Sequence, residues 1–196
     1  ITNRGFKMRM NATGGGNRTM TAQYFNNLNA NGTVIATVTN DTANHAWGNA
    51  APVAGVNADG FSARFTGTYT APETGDYVFR TISDDGIRLW VNTNGGNNFN
   101  NGNRRIDNWT DHGSTTNDSA TISLTAGQTF SVQIEYYERG GGAVMQFQWR
   151  TPSSNNTFRP FAEGGPVDGD FTVRVKVCDP SAGAGGLEGK WKAHGA

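Results

Sequence analysis

The 196-residue chain has one cysteine, Cys178, and no lysine between residues 8 and 175. A single thiol cannot close an internal disulfide, which removes the disulfide-scaffold class and identifies no redox compartment. No apolar run approaches the roughly 20 residues that a membrane-spanning helix needs, so membrane insertion is not expected. A charged-then-apolar leader is also missing, and any export signal is expected outside this stretch. Net charge is absent as well, because 16 basic residues balance 16 acidic ones. Nucleic-acid binding depends on a basic excess or stripe, so that partner class is set aside. No long segment carries a 3.6-residue apolar period, which argues against a helical fold.

What is present is glycine, asparagine and alternation. With 27 Gly and 35% hydrophobic residues, the composition fits a loop-rich β protein. Phe61, Ala63, Phe65, Gly67 and Tyr69 share one face of a strand, and Ser62, Arg64, Thr66, Thr68 and Thr70 share the other. After a Pro72–Gly75 turn the chain reverses into Tyr77, Phe79 and Thr81, so an antiparallel pair is expected there. Phe130, Val132, Ile134 and Tyr136 repeat the pattern, as do Ala143, Met145, Phe147 and Trp149. Ala120, Ile122 and Leu124 form a shorter run before a turn at Gly127. One apolar face per strand predicts two packed antiparallel sheets, an all-β sandwich with long Asn/Gly-rich loops such as 92–103.

The most informative segment is Ser83-Asp84-Asp85-Gly86, which sets two adjacent carboxylates at the crest between two alternating runs. Neighbouring carboxylates raise each other's pKa unless something positive neutralises them. A hard cation does so, and Ca²⁺ takes oxygen ligands at about 2.3–2.6 Å without strict geometry. The plainer reading is a solvated turn, since Asp and Gly are ordinary turn formers.

The surrounding residues add a resemblance. Phe61 through Phe79 leads into Ser83-Asp84-Asp85-Gly86 and Trp90, then Arg105-Ile106-Asp107-Asn108-Trp109, Leu124 to Gly127, Ile134 to Glu138, and Gly142 to Trp149. In this order the motifs resemble the protective-antigen fourteen-kilodalton domain family, a β-sandwich of toxins, flocculins, glycosidases and adhesins. The resemblance implies that Asp84 and Asp85, joined by a cis peptide, bind Ca²⁺, and that the ion binds sugar hydroxyls. A second loop would complete the coordination, and here it is Glu138-Arg139-Gly140-Gly141-Gly142. Arg139 stands where the family places an amide ligand and cannot itself bind a cation, which leaves Glu138 and the carbonyls of Gly140 and Gly141. Trp109, Tyr137 and Trp47 are candidate platforms for a sugar ring, and Asn108, Asp111 and Arg139 are candidate polar contacts. Trp90 and Trp149 read as core or sheet-face residues rather than ligands.

The function expected from this is a calcium-dependent, lectin-like module of a bacterial surface or pilus-associated adhesin. Its partners would be terminal sugars of cell-surface glycans or polysaccharide. The alternative is a structural spacer or filament component that binds no glycan. Catalysis is not expected: Asp111-His112-Gly113-Ser114 holds triad residue types, but a triad is a spatial arrangement rather than a run of neighbours. His45, His112 and His194 lack metal-ligand spacing.

Two pieces fall outside the sandwich, which gives a division into 1–17, 18–162 and 163–196. Phe6, Met8 and Met10 alternate before a glycine run, and Phe171, Val173, Val175 and Val177 alternate after another. These read as flanking strands of a host unit, paired with each other. The tail from Val173 to Ser181, with Gly186-Leu187-Glu188, is similar to a segment of type IV pilus tip adhesins, although the second cysteine of that pattern is missing.

Overall fold

A computed structural model describes residues 18–163, together with the backbone of two further strands at Val173–Val177 and Leu187–Trp191. The first half of the chain forms β1 (Met20–Phe25), β2 (Ala36–Asp41), β3 (Asn44–Gly48), β4 (Phe61–Thr70), β5 (Gly75–Asp84) and β6 (Ile87–Asn92). The second half forms β7 (Arg104–Asn108), β8 (Thr115–Asp118), β9 (Ile122–Leu124), β10 (Thr129–Glu138), β11 (Ala143–Arg150) and β12 (Arg159–Pro160). Beyond these, β13 (Val173–Val177) pairs antiparallel with β14 (Leu187–Trp191).

The first sheet has the order β2-β1-β4-β10-β6-β7. The second runs β12-β11-β5-β8, with β3 also on β11 and β9 also on β5. All pairings are antiparallel, as the alternating patterns require. Inward residues of the two sheets meet in an aromatic core. Phe79 is fully buried and lies within 6.4 Å, ring to ring, of Phe130, Phe147, Trp149 and Phe161. Trp149 belongs to this core, and Trp90 is also buried although it shares its strand face with Arg88.

The reversal at Pro72–Gly75 corrects one expectation. The chain does turn, but β4 pairs with β1 and β10 while β5 pairs with β8, β9 and β11. The turn carries the chain from one sheet to the other instead of closing a hairpin. An alternating pattern specifies which face of a strand is buried and says nothing about its neighbour. Two more crossings matter for function: residues 85–86 join β5 to β6, and residues 139–142 join β10 to β11, each passing between the sheets. They lie side by side, because Val144 is registered with Asp84. At the other end of β11, Trp149 pairs with Arg159, and there the Arg18 amide donates to the Ala162 carbonyl at 3.4 Å.

The strands β1, β2, β3 and β8 were not singled out in the sequence. They are short, and β2, β3 and β8 carry largely polar, exposed residues. The expected partnership of residues 6–10 with 171–178 lies outside the described residues on its N-terminal side, while β13 has β14 as a partner.

Phe79→Ala should remove an anchor shared by both sheets and cost about 3–5 kcal/mol, the range for a large aromatic in a core that relaxes only partly. Chemical denaturation should show a lower midpoint at an unchanged slope.

Candidate functional site

The end of β10 builds the site through simple alternation. Successive strand residues point to opposite faces, so Tyr136 and Glu138 face inward and Tyr137 faces outward. The Tyr136 hydroxyl donates to the Asp84 carbonyl, with Glu138 Oε2 at 3.2 Å. One phenolic proton cannot fully serve both acceptors. Tyr137 lies over Gly86, where an added Cβ would come within 2.2 Å of the ring. Its own N–H donates to the Gly86 carbonyl at 3.0 Å. Glycine is required here for close approach alone.

Asp84 and Asp85 are joined by a cis peptide. One carboxylate oxygen from each of Asp84, Asp85 and Glu138 falls within 4.8 Å of the others. Asp85 is 6% exposed and Glu138 is fully buried. Asp85 Oδ1 accepts the His112 N–H and Oδ2 accepts the Arg139 N–H, each at 2.9 Å. Glu138 Oε1 is buried without a hydrogen-bond partner. Burial, followed by the charge of Asp85, pushes the Glu138 carboxyl up to about 7. A buried carboxylate oxygen left bare costs on the order of 1–3 kcal/mol or more, and a cation is the partner that such an all-oxygen set suits. Hard Ca²⁺ matches the donors, whereas softer metals prefer nitrogen or sulfur. The residues therefore fit the ion that the resemblance implied.

Beside this cluster lies an open groove of ≈ 570 Å³ lined by Leu28, Asn29, Trp109, Thr110, Asp111, Tyr137 and Arg139. Four of the expected sugar contacts, Trp109, Asp111, Tyr137 and Arg139, meet there. The Tyr137 hydroxyl donates to Asp111 Oδ1 at 2.7 Å, and Arg139 Nε lies 2.7 Å from Asp111 Oδ2. These bonds, Tyr137 first, hold the Asp111 carboxyl below the usual range. Burial, then the bond to Asp111, raises the Tyr137 phenol. Trp109 stands edge-on to Tyr137 at 4.7 Å, while Arg88 covers the indole at 4.4 Å, so the ring is wedged in place. Gly140 and Gly141 lie exposed on the same connection as Arg139, with the Gly141 N–H on Asp59 Oδ1 at 3.3 Å.

Two expected contacts fall elsewhere. Asn108 does not line the groove; its amide donates to Asn117 and its carbonyl accepts from Thr110. Trp47 sits on β3, stacked on His45 at 4.4 Å and packed against Tyr24, Phe61 and Tyr136, so it closes the core instead of serving as a platform. Conversely, Leu28 and Asn29 form a wall that the sequence did not disclose. Their loop is pinned over the outer face of the first sheet, where Ser62 Oγ accepts the Ala30 N–H at 2.9 Å and Arg64 donates to the Ala30 carbonyl. The only local signal is one leucine within an Asn-rich turn.

The PA14 domain model matches residues 16–157. The chain belongs to the PA14 domain family. Among known proteins, this PA14 domain is 30% identical over 159 residues to the anti-sigma-I factor RsgI3 of Acetivibrio thermocellus, covering 81% of this chain and 22% of that protein. It also resembles the solved anti-sigma factor domain-containing protein from Clostridium clariflavum, with 27% identity and a TM-score of 0.65 over 83% of this chain and 52% of that one. The PA14 sugar-binding domain from an RTX adhesin shares the fold, with 18% identity and a TM-score of 0.57 over 76% of this chain and 98% of that domain. The chain thus spans about a fifth of the curated relative's length.

Gly86→Ala should force Tyr137 off the β5–β6 connection and destabilise the fold by about 1–3 kcal/mol, the usual cost of overpacking. Denaturant unfolding measures that loss, and the near-ultraviolet dichroism of the tyrosine should weaken with it.

Proposed function

We propose that this PA14 domain is a calcium-dependent carbohydrate-binding module. The observation that carries the proposal is the convergence of Asp84, Asp85 and Glu138 at the head of a polar groove, with a buried Glu138 oxygen left without a partner. Asp84, Asp85 and Glu138 would hold the ion through their side chains, and Gly140 and Gly141 would contribute backbone carbonyls. When bound, Ca²⁺ supplies positions that sugar hydroxyls can fill. The chain's own residues then orient the sugar: Arg139 donates hydrogen bonds, Asp111 and Asn29 accept them, and Tyr137 and Trp109 give the groove its apolar surface.

Binding, not catalysis, suits the neighbouring groups. Asp111 pairs with Tyr137 and Arg139 and not with the His112 ring, while His112 Nδ1 bonds the Gly113 carbonyl. No Asp–His–Ser relay is therefore assembled in that loop. The setting we propose is extracellular, at a bacterial cell surface, with a terminal sugar or polysaccharide as the partner. The same chemistry serves an adhesin and equally the receptor portion of a signalling protein. The relationship to an anti-sigma-I factor favours keeping the second setting beside the first.

Replacing both Asp84 and Asp85 with Asn should abolish stabilisation by calcium. In the parent, the ion at about a hundred times its dissociation constant should add roughly 2.7 kcal/mol. Melting curves across millimolar CaCl₂ check this, and a parent that shows no shift would refute calcium binding. A glycan array run with and without chelator tests the other half. Retention is expected only with calcium, so chelator-resistant binding or a blank array would refute the lectin reading.

A further inference from the structure

We propose that Asp111 is a positioning residue that holds the Arg139 cation away from the metal cluster; this rests on the calcium reading above. A guanidinium beside three carboxylates competes directly with a bound cation, because it occupies the same oxygen lone pairs and repels the ion. Arg139 follows Glu138 in the chain, and its own N–H is bonded to Asp85 Oδ2. Its side chain is 60% exposed and long enough to choose among partners. Among the described residues, its ion pair is with Asp111, at 2.7 Å, and with none of Asp84, Asp85 or Glu138.

Asp111 is itself fixed from two directions. Tyr137 donates to its other oxygen at 2.7 Å, and the following residue, His112, donates its N–H to Asp85 Oδ1 at 2.9 Å. The carboxylate that captures Arg139 is thus carried by a loop anchored to the metal cluster's own aspartate. Arg139 Nε is held by Asp111, and both residues line the groove. One carboxylate both neutralises an inconvenient charge and delivers it to the ligand side. This accounts for a cation in a loop that the resemblance expects to hold an amide.

The test is a double-mutant cycle on the calcium dissociation constant, measured by titration calorimetry on the protein, Asp111→Ala, Arg139→Ala and the pair. If Asp111 works by capturing Arg139, Asp111→Ala weakens calcium binding by about fivefold or more, while Arg139→Ala stays within about twofold of the parent. The pair then returns to within about twofold of the parent, because the freed cation is gone. Equal and opposite single effects that simply add would mean through-space charge alone, and would overturn the proposal. An unchanged Asp111→Ala affinity would overturn it as well. A parent that binds no calcium sinks the calcium reading together with this proposal, whereas a calcium-binding parent with an additive cycle sinks only the proposal. Melting temperatures in chelator should agree across the set. Where Asp111→Ala melts early, Asp111→Asn keeps an acceptor for Tyr137 while removing the charge, and the same cycle is run with it.

Discussion

Asp85 accepts one backbone N–H from the loop after β7 and one from the β10–β11 connection, while its own segment joins β5 to β6. Three stretches of chain that pass the end of the sandwich are thereby tied to a single carboxylate. At 6% exposure an unpaired charge would be expensive, and the two amides offset part of that desolvation. Hydrogen bonds to a charged acceptor are worth on the order of 1.5–3 kcal/mol each, so this staple outweighs any surface ion pair nearby. The groove follows from it. Asp111 precedes the amide held by Asp85 Oδ1, and Arg139 owns the amide held by Oδ2, so fixing the two amides brings the two side chains together.

The core reaches this staple through three consecutive residues. Tyr136 extends the inward aromatic row toward the cluster and spends its hydroxyl on the Asp84 carbonyl. Tyr137 turns outward, lies on Gly86 and reaches Asp111. Glu138 turns inward again and arrives beside the two aspartates, buried and incompletely satisfied. A one-residue slip of β10 would exchange these faces, removing Glu138 from the cluster and placing a tyrosine in its stead. Full pairing of β10 with β4 from Thr129 to Glu138 prevents that slip. The register of one long central strand therefore decides both the packing and the chemistry.

Much of this was legible because the deciding features are local. The alternation of β4, β5, β10 and β11 gave their buried faces, and the adjacent aspartates with Glu138 gave the cluster. What was not legible depends on pairing across long sequence separations. Leu28 shares a groove with Trp109 because Ser62 and Arg64 pin its loop over the sheet, and no periodicity encodes that placement. Trp47 was a candidate platform with no strand assigned to it, and the pairing of β3 with β11 is what draws the ring onto the core edge. Arg139 looked incompatible with a metal loop until Asp111, 28 positions earlier in the numbering, proved to be its partner.

The site and the chain's exits occupy opposite ends of the sandwich. Asp84 closes one end of β5, while the Arg18 amide meets the Ala162 carbonyl beyond the far end of β11. Between them stand the packed rings of Phe79, Phe147, Trp149 and Phe161. Close-packed interiors of this kind deform little, and sites without shared partners behave nearly independently in energy. The loops around the Asp85 cluster can therefore vary in sequence without disturbing the end where Arg18 meets Ala162. The PA14 sugar-binding domain from an RTX adhesin and a segment of an anti-sigma-I factor are both similar to this frame. The frame sets where the Asp85 cluster stands, and the few side chains around it set its charge and hydrogen bonding.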